Sequence, residues 1–182
     1  MSPRLSSRDW VDAALRTLVE QGIDALRVER LAAAMGVTKG SFYWHFKDQK
    51  ALLAAVLTAW EARATSDIIF NVEAQGGDAR ARLRALAIIV FGSDGVLERQ
   101  VRAWAARDPA AAEVQDRVDE RRIGYVSGLF EAAGFTPEHA QARAVFVYQA
   151  LIGQFALGQH SALRPDQVEL IVDVLIGDRS SS

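Results

Sequence analysis

Lys39, Ser41, Tyr43, Trp44 and His45 fall within seven residues of one another. They bring one cation, several hydroxyl and ring donors, and flat aromatic faces to a single short stretch. Groups of this kind bond phosphate oxygens and base edges. An ordinary core helix would not gather them. Phe42 and Phe46 are four apart, so on a helix both can turn to one core and leave the other five partly outward. Core packing is the competing reading for Tyr43 and for part of Trp44.

Two elements must position this cluster. The stretch 27–46 reads as a short helix, a tight turn at Gly36-Val37, and a second short helix from about Thr38. Leu31, Ala32 and Met35 give the first helix one apolar face. Gly36 follows the last periodic residue, where a helix that stops takes a left-handed residue. Thr38 is placed to cap the second helix.

The chain has 182 residues, half of them hydrophobic, which suits one small domain joined to a medium one. There is no cysteine, which excludes disulfides and thiolate chemistry. No run of 18 apolar residues occurs, and residues 1–26 are amphipathic rather than signal-like, so a cytoplasmic protein with no membrane partner is expected. The net charge of −2 is unevenly spread. Residues 1–50 hold eight Lys and Arg against six Asp and Glu; the rest hold thirteen against seventeen. A mildly basic head suits a polyanionic partner, although a difference this small also arises by chance.

Strand signals are absent and helical periods dominate, so the expected fold is all-α. Ser6 or Ser7 caps a first helix with Trp10, Ala13, Ala14, Leu15, Leu18 and Val19 buried, ended by Gly22. After the two short helices, a fourth is expected over 48–72, capped by Asp48, with Leu52, Leu53, Val56 and Trp60 inward. Asp78 caps a fifth through Leu83, Leu86, Ala87, Val90 and Phe91. A sixth runs from about Val96 to Arg107, and a seventh from about Ala110 to Ala133. Thr136-Pro137 opens the eighth, with Thr as cap and Pro first in the helix. Arg164-Pro165 opens the ninth, ending by Gly177. The expected division is a helix-turn-helix head at 1–47, a body at 48–177 and a disordered tail at 178–182.

The ninth helix is apolar nearly all round, and the eighth carries small residues at Ala150, Gly153, Ala156 and Gly158. A terminal helix apolar on two faces must bury the second somewhere. The expected answer is a homodimer through Ala150, Gly153, Gln154, Leu157, Val168, Ile171, Val172 and Leu175. A ninth helix central in its own core is the alternative.

The series Ala13-Ala14, Leu18, Gly22, Leu31-Ala32, Met35-Gly36-Val37-Thr38, Gly40-Ser41-Phe42-Tyr43, His45-Phe46 and Leu52-Leu53 resembles the TetR family of transcriptional regulators. The resemblance covers roughly the first 55 residues. It implies a three-helix DNA-binding head followed by a roughly six-helix body for ligand binding and dimerisation. It implies that Tyr43 and His45 contact phosphates, and that Lys39 and Ser41 read base edges or adjacent phosphates. It also implies that Thr38 caps the recognition helix and touches a phosphate, that Gly40 permits close approach, and that Arg27 reaches across the groove. Trp44, Lys47 and Lys50 complete the expected DNA-binding set. One departure stands out. The family usually has a Lys three residues after the position of Phe46, followed by an acidic residue; here Gln49 and then Lys50 occupy those places. Either Gln49 gives a neutral hydrogen bond, or Lys47 and Lys50 supply the charge. The salt dependence of DNA binding should be shallower by about one unit of slope per lost contact.

The implied function is a ligand-responsive regulator, a repressor in its simplest form, that binds a palindromic double-stranded operator as a homodimer. A small effector, apolar or aromatic, would release it. Candidates to contact that effector are Trp60, Phe70, Phe91, Arg102, Trp104, Tyr125, Phe130 and Tyr148, and core packing explains each of the aromatic ones equally well. No cofactor or metal is expected. An enzyme is not supported, since His45, His139 and His160 sit in separate elements without carboxylate partners at usable spacing. The alternative function is a dimeric helical binding module that no longer contacts DNA.

Overall fold

The computed structural model describes residues 5–158 and 163–177. Those residues form helices and turns with no strand among them, as the patterning predicts. The order is α1 Ser7–Gln21, a 3-10 turn Ile23–Ala25, α2 Val28–Ala34, α3 Lys39–Tyr43 and α4 Gln49–Glu61. A π turn Ala62–Ser66 follows, then α5 Asp67–Gln75, α6 Ala79–Phe91, α7 Val96–Ala105, α8 Pro109–Ala132, α9 Pro137–Leu157 and α10 Pro165–Ile176. The tail 178–182 and His160 lie outside the described residues.

Most helix starts follow from their caps. Ser6 accepts from the Asp9 N–H while the Asp9 carboxylate accepts from the Ser6 N–H, a reciprocal capping box. The Ser6 N–H and hydroxyl, both donating to the Asp9 carboxylate, hold it below its usual range. Asp48 caps α4 and Asp78 caps α6, each through the N–H three residues on. Thr136 caps α9, with Pro137 at its first position. The expected single helix over 48–72 is corrected: α4 gives way to the π turn, and α5 continues to Gln75. The buried positions record the change. Leu52, Val56 and Trp60 step by four, and the next buried residue, Thr65, follows after five.

Two compact units emerge. The first joins the chain up to Arg63 with Val96–Gln115. In it α1 packs on α2, α4 and α7. Trp10, Leu18, Leu26, Leu31, Phe42, Leu52, Val56, Trp60 and Val101 are almost wholly enclosed. Val19 and Leu53, expected inward, are only half-buried, and Leu57 is buried in addition. Asp108 accepts from the Trp104 indole at 3.1 Å and from the Ala110 N–H at 2.9 Å, which starts α8 and depresses the Asp108 pKa.

The second unit joins Ala64–Gly95 with the residues from Asp116 onward. Its core includes Val72, Leu83, Phe91, Phe130, Ala144, Leu151, Phe155, Val168, Val172 and Ile176. A polar cluster crosses it. The Arg122 guanidinium donates to Thr65 Oγ1 at 2.9 Å, to the Ala64 carbonyl at 3.1 Å and to the Tyr148 hydroxyl at 3.2 Å. Tyr148 in turn donates to Asp119 at 2.6 Å, and Arg121 donates to Ser66 Oγ at 2.9 Å. A π turn leaves backbone carbonyls off the regular helical ladder, and here Arg122 bonds one of them. Among the described residues no helix is long and apolar enough to cross a membrane.

Candidate nucleic-acid interface

The corner that carries the cluster is closed by backbone bonds. The Gly36 N–H donates to Ala33 O at 3.1 Å and the Val37 N–H to Ala32 O at 2.9 Å. That pair ends α2 in a Schellman motif, with Gly36 at φ +67° where a side chain would be strained. Thr38 takes the N-cap position of α3, but its hydroxyl makes no capping bond; the expected side-chain cap is corrected, and the Thr38 carbonyl accepts from Ser41 N–H instead.

Helix α3 has only five residues, too few to hold itself. It is held by aromatic packing. Phe42 is fully enclosed, edge-on to Trp10 at 5.3 Å and stacked with Phe46 at 5.6 Å. Tyr43 meets the Phe42 ring edge-on at 5.3 Å yet stays 54% exposed. Trp44 is 85% exposed, so the reading that buries part of it is corrected. Ser41 and His45 are half-buried; Arg27, Thr38, Lys39, Gly40, Lys47 and Lys50 are exposed. A large, unpacked indole beside a buried phenyl ring means that the helix is fixed from behind and open in front.

Two polar contacts were invisible in the sequence. Lys39 donates from Nζ to Glu29 Oε1 across the corner, from α3 to α2. That bond holds the Glu29 carboxyl below its ordinary range and raises the Lys39 ammonium. Gln49, at the start of α4, donates from Nε2 to the Leu26 carbonyl at 2.6 Å. In this structure the Gln49 amide ties α4 to the segment ahead of α2. Lys47 and Lys50 remain exposed beside it.

The other expected sites are scattered. Trp60, Arg102 and Trp104 belong to the first unit, where Arg102 pairs with Glu98 at 2.9 Å. Phe70, Phe91, Tyr125, Phe130 and Tyr148 belong to the second. Phe91, Phe130 and Tyr148 are buried, but Phe70 is 71% exposed on α5, which does not suit an enclosed cavity. Tyr125 donates to Glu73 at 2.7 Å. Arg122 was missed because its partners Thr65 and Ala64 lie nearly sixty residues earlier in the chain and Tyr148 lies 26 residues later.

The dimer set is partly out of register. Val168 and Val172 are buried in their own unit, and Gln154 is buried and donates to the Phe91 carbonyl at 2.8 Å. Those three are corrected to core positions. Leu175 packs half-buried against the same core. Ala150 and Leu157 are exposed and Gly153 half-buried, in line with the exposed Phe146 on α9. On α10 the outward residues are Leu170, Ile171 and Val174.

Comparison with known proteins adds one finding. Residues 11–56 match the family model of bacterial regulatory proteins, tetR family. The chain is 34% identical over 93 residues to the HTH-type transcriptional regulator AcrR of Shigella flexneri, covering 50% of this chain and 42% of that protein. It is 42% identical over 60 residues to the class D tetracycline repressor protein of Escherichia coli, covering 33% and 28%. These matches span less than half the length of either relative. A solved transcriptional regulator from Rhodococcus sp. Rha1 shares the fold at a TM-score of 0.74 and 22% identity, covering 95% of both chains. The corner and the helices that pin it, at residues 11–56, are what this chain shares with the tetR family of bacterial regulatory proteins.

Proposed function

We propose that the protein is a transcriptional regulator that binds a palindromic operator as a homodimer, in the simplest case as a repressor. One observation carries the reading: Phe42 on α3 and Phe46 just past it are buried, while Lys39 and Tyr43 on α3 and Trp44 at its end stand exposed. In this reading residues 1–47 form the DNA-binding head and 48–177 the ligand-binding and dimerising body. Tyr43 and His45 fix register on phosphates with Thr38, Lys47, Lys50 and Arg27, and Ser41 and Lys39 address base edges. Gly40 leaves room for the backbone to approach. Two recognition helices then enter successive major grooves about 34–36 Å apart.

The apolar residues that the single chain leaves exposed on α9 and α10 support self-association: Phe146, Leu157, Leu170, Ile171 and Val174. Effector binding is assigned to the second unit, near Phe91, Tyr125, Phe130 and Tyr148. A coupling of about 1–3 kcal/mol would change operator affinity roughly five- to 150-fold. A regulator of this kind would act in the cytoplasm. The test is a gel shift and footprint on the DNA upstream of the protein's own gene. A discrete, salt-sensitive shift with protection of two half-sites is expected; no shift with any neighbouring promoter at low salt would count against the reading.

A further inference from the structure

A carboxylate stands in the middle of the surface assigned to DNA. Glu29 lies in the first turn of α2, exposed, and its partner is the recognition-helix Lys39. Exposed ion pairs of this kind contribute little to folding. On a face that meets a polyanion, an unshared carboxylate repels phosphates and also the acceptor atoms of purines and thymine. It is favourable only where the DNA offers a donor; in the major groove these are the amines at adenine N6 and cytosine N4, and since adenine sets the N7 acceptor beside its amine, cytosine N4 is the donor that Glu and Asp accept from. Lys39 offers the complementary chemistry, since ammonium groups donate to guanine O6 and N7. The pair therefore presents an acceptor and a donor side by side, from two helices whose relative position is fixed by the Schellman corner.

We propose that Glu29 is a specificity-determining residue: it accepts from the N4 amine of one cytosine in each half-site and holds Lys39 at the base edges rather than on the phosphates. The inference rests on the DNA-binding reading above. Arg27, whose charge favours the Glu29 carboxylate, and Tyr43, on the same helix as Lys39, flank the pair without replacing either member.

The experiment is binding selection from a randomised duplex pool, plus salt titrations on one fixed non-specific duplex. The proteins are wild type, Glu29→Gln, Lys39→Gln and the double variant. Wild type should enrich cytosine at one position per half-site, by roughly tenfold over other bases, and Glu29→Gln should lose that preference. Freeing Lys39 for phosphates should steepen the slope of log K against log salt by about 0.9 for each head engaged. The steepening should vanish when Lys39 is also replaced. Equal melting temperatures across the set show that the fold is intact. Unchanged base preference in Glu29→Gln overturns the proposal. So does a steepening of equal size with and without Lys39, because that is a plain charge effect. Failure of wild type to retain any duplex at low salt overturns the DNA-binding reading, and the proposal with it.

Discussion

Replacing Phe42 by Ala should detach the recognition helix. The side chain is fully enclosed, between the Trp10 ring at 5.3 Å and the Phe46 ring at 5.6 Å. A buried phenylalanine removes about 150–250 Å² from water. At about 25 cal/mol per Å² that is roughly 4–6 kcal/mol for the whole residue, of which Ala retains a part. Phe→Ala substitutions in cores cost about 3–5 kcal/mol. Domain stabilities run from about 5 to 15 kcal/mol, so the loss is a large share for a head of this size. Helix α3 has no local reserve, because five residues make barely more than a turn. The folded fraction of the corner should fall by roughly 10²- to 10³-fold relative to the open form, at about 1.4 kcal/mol per decade. Amide hydrogen exchange, read at residues 38–46, separates local opening from global unfolding. Protection should collapse there in Phe42→Ala, while amides of α9 and α10 keep theirs, and duplex affinity should fall with it. Phe42→Leu, which keeps most of the volume, should retain most of both. If Phe42→Ala keeps wild-type protection at 38–46, the aromatic packing is not what holds the recognition helix, and the reasoning fails.

Three further outcomes follow from the same geometry. Gln49→Lys should steepen the salt slope on duplex DNA by about 0.9 per head, since a cation replaces an amide occupied by Leu26 O; identical slopes would refute this. Val174→Asp, at a position 80% exposed in the single chain, should leave the helical content intact and shift the protein to monomer in sedimentation. A persistent dimer at micromolar concentration would remove α10 from the interface. Tyr148→Phe should cost about 1–3 kcal/mol at neutral pH, because Asp119 and Arg122 each lose a partner. Burial raises the Tyr148 pKa above its ordinary value of 10.0, so the unfolded chain releases the proton first. Wild-type stability should then fall as pH rises past about 10. The gap between wild type and Tyr148→Phe should narrow there in denaturant titrations, and a gap that widens would show the sign to be wrong.

What the sequence made legible is what local chemistry decides. Ser6, Asp48, Asp78 and Thr136 cap where their side chains can reach an N–H three residues on. Phe42 and Phe46 share a face because a step of four is just over one helical turn. The unreadable features depend on partners distant in sequence. Glu29 and Lys39 are ten residues apart and belong to different helices, so no periodicity links them. Gln49 meets Leu26 O across 23 residues, and its amide gives no hint of whether it will face a carbonyl or a phosphate. Helix α10 misled for another reason. With valine, leucine and isoleucine on nearly every side, its pattern did not say which of Val172 and Val174 turns inward. Val168, Val172 and Ile176, four apart, form the buried face that sets the rotation, and Asp173 turns outward to pair with Arg84 of α6. The π turn has no breaker at all in Ala-Arg-Ala-Thr-Ser; its bonds come from Arg121 and Arg122.

That turn also bears on how chain length can vary among relatives. A π turn holds one residue more than an α turn, seen here as the step of five from Trp60 to Thr65. It is a place where the helix accommodates one extra residue without ending. Loss of one residue between Ala62 and Ser66 would restore ordinary spacing, with Val72 keeping its inward place relative to Trp60. Loss of one residue within the uninterrupted turns of α6 or α9 would instead rotate everything after it by about 100°, carrying buried positions outward. Sequences aligned through this region should therefore be allowed a one-residue gap at Ala62–Ser66, and an ungapped alignment would assign the faces of α5 to the wrong residues.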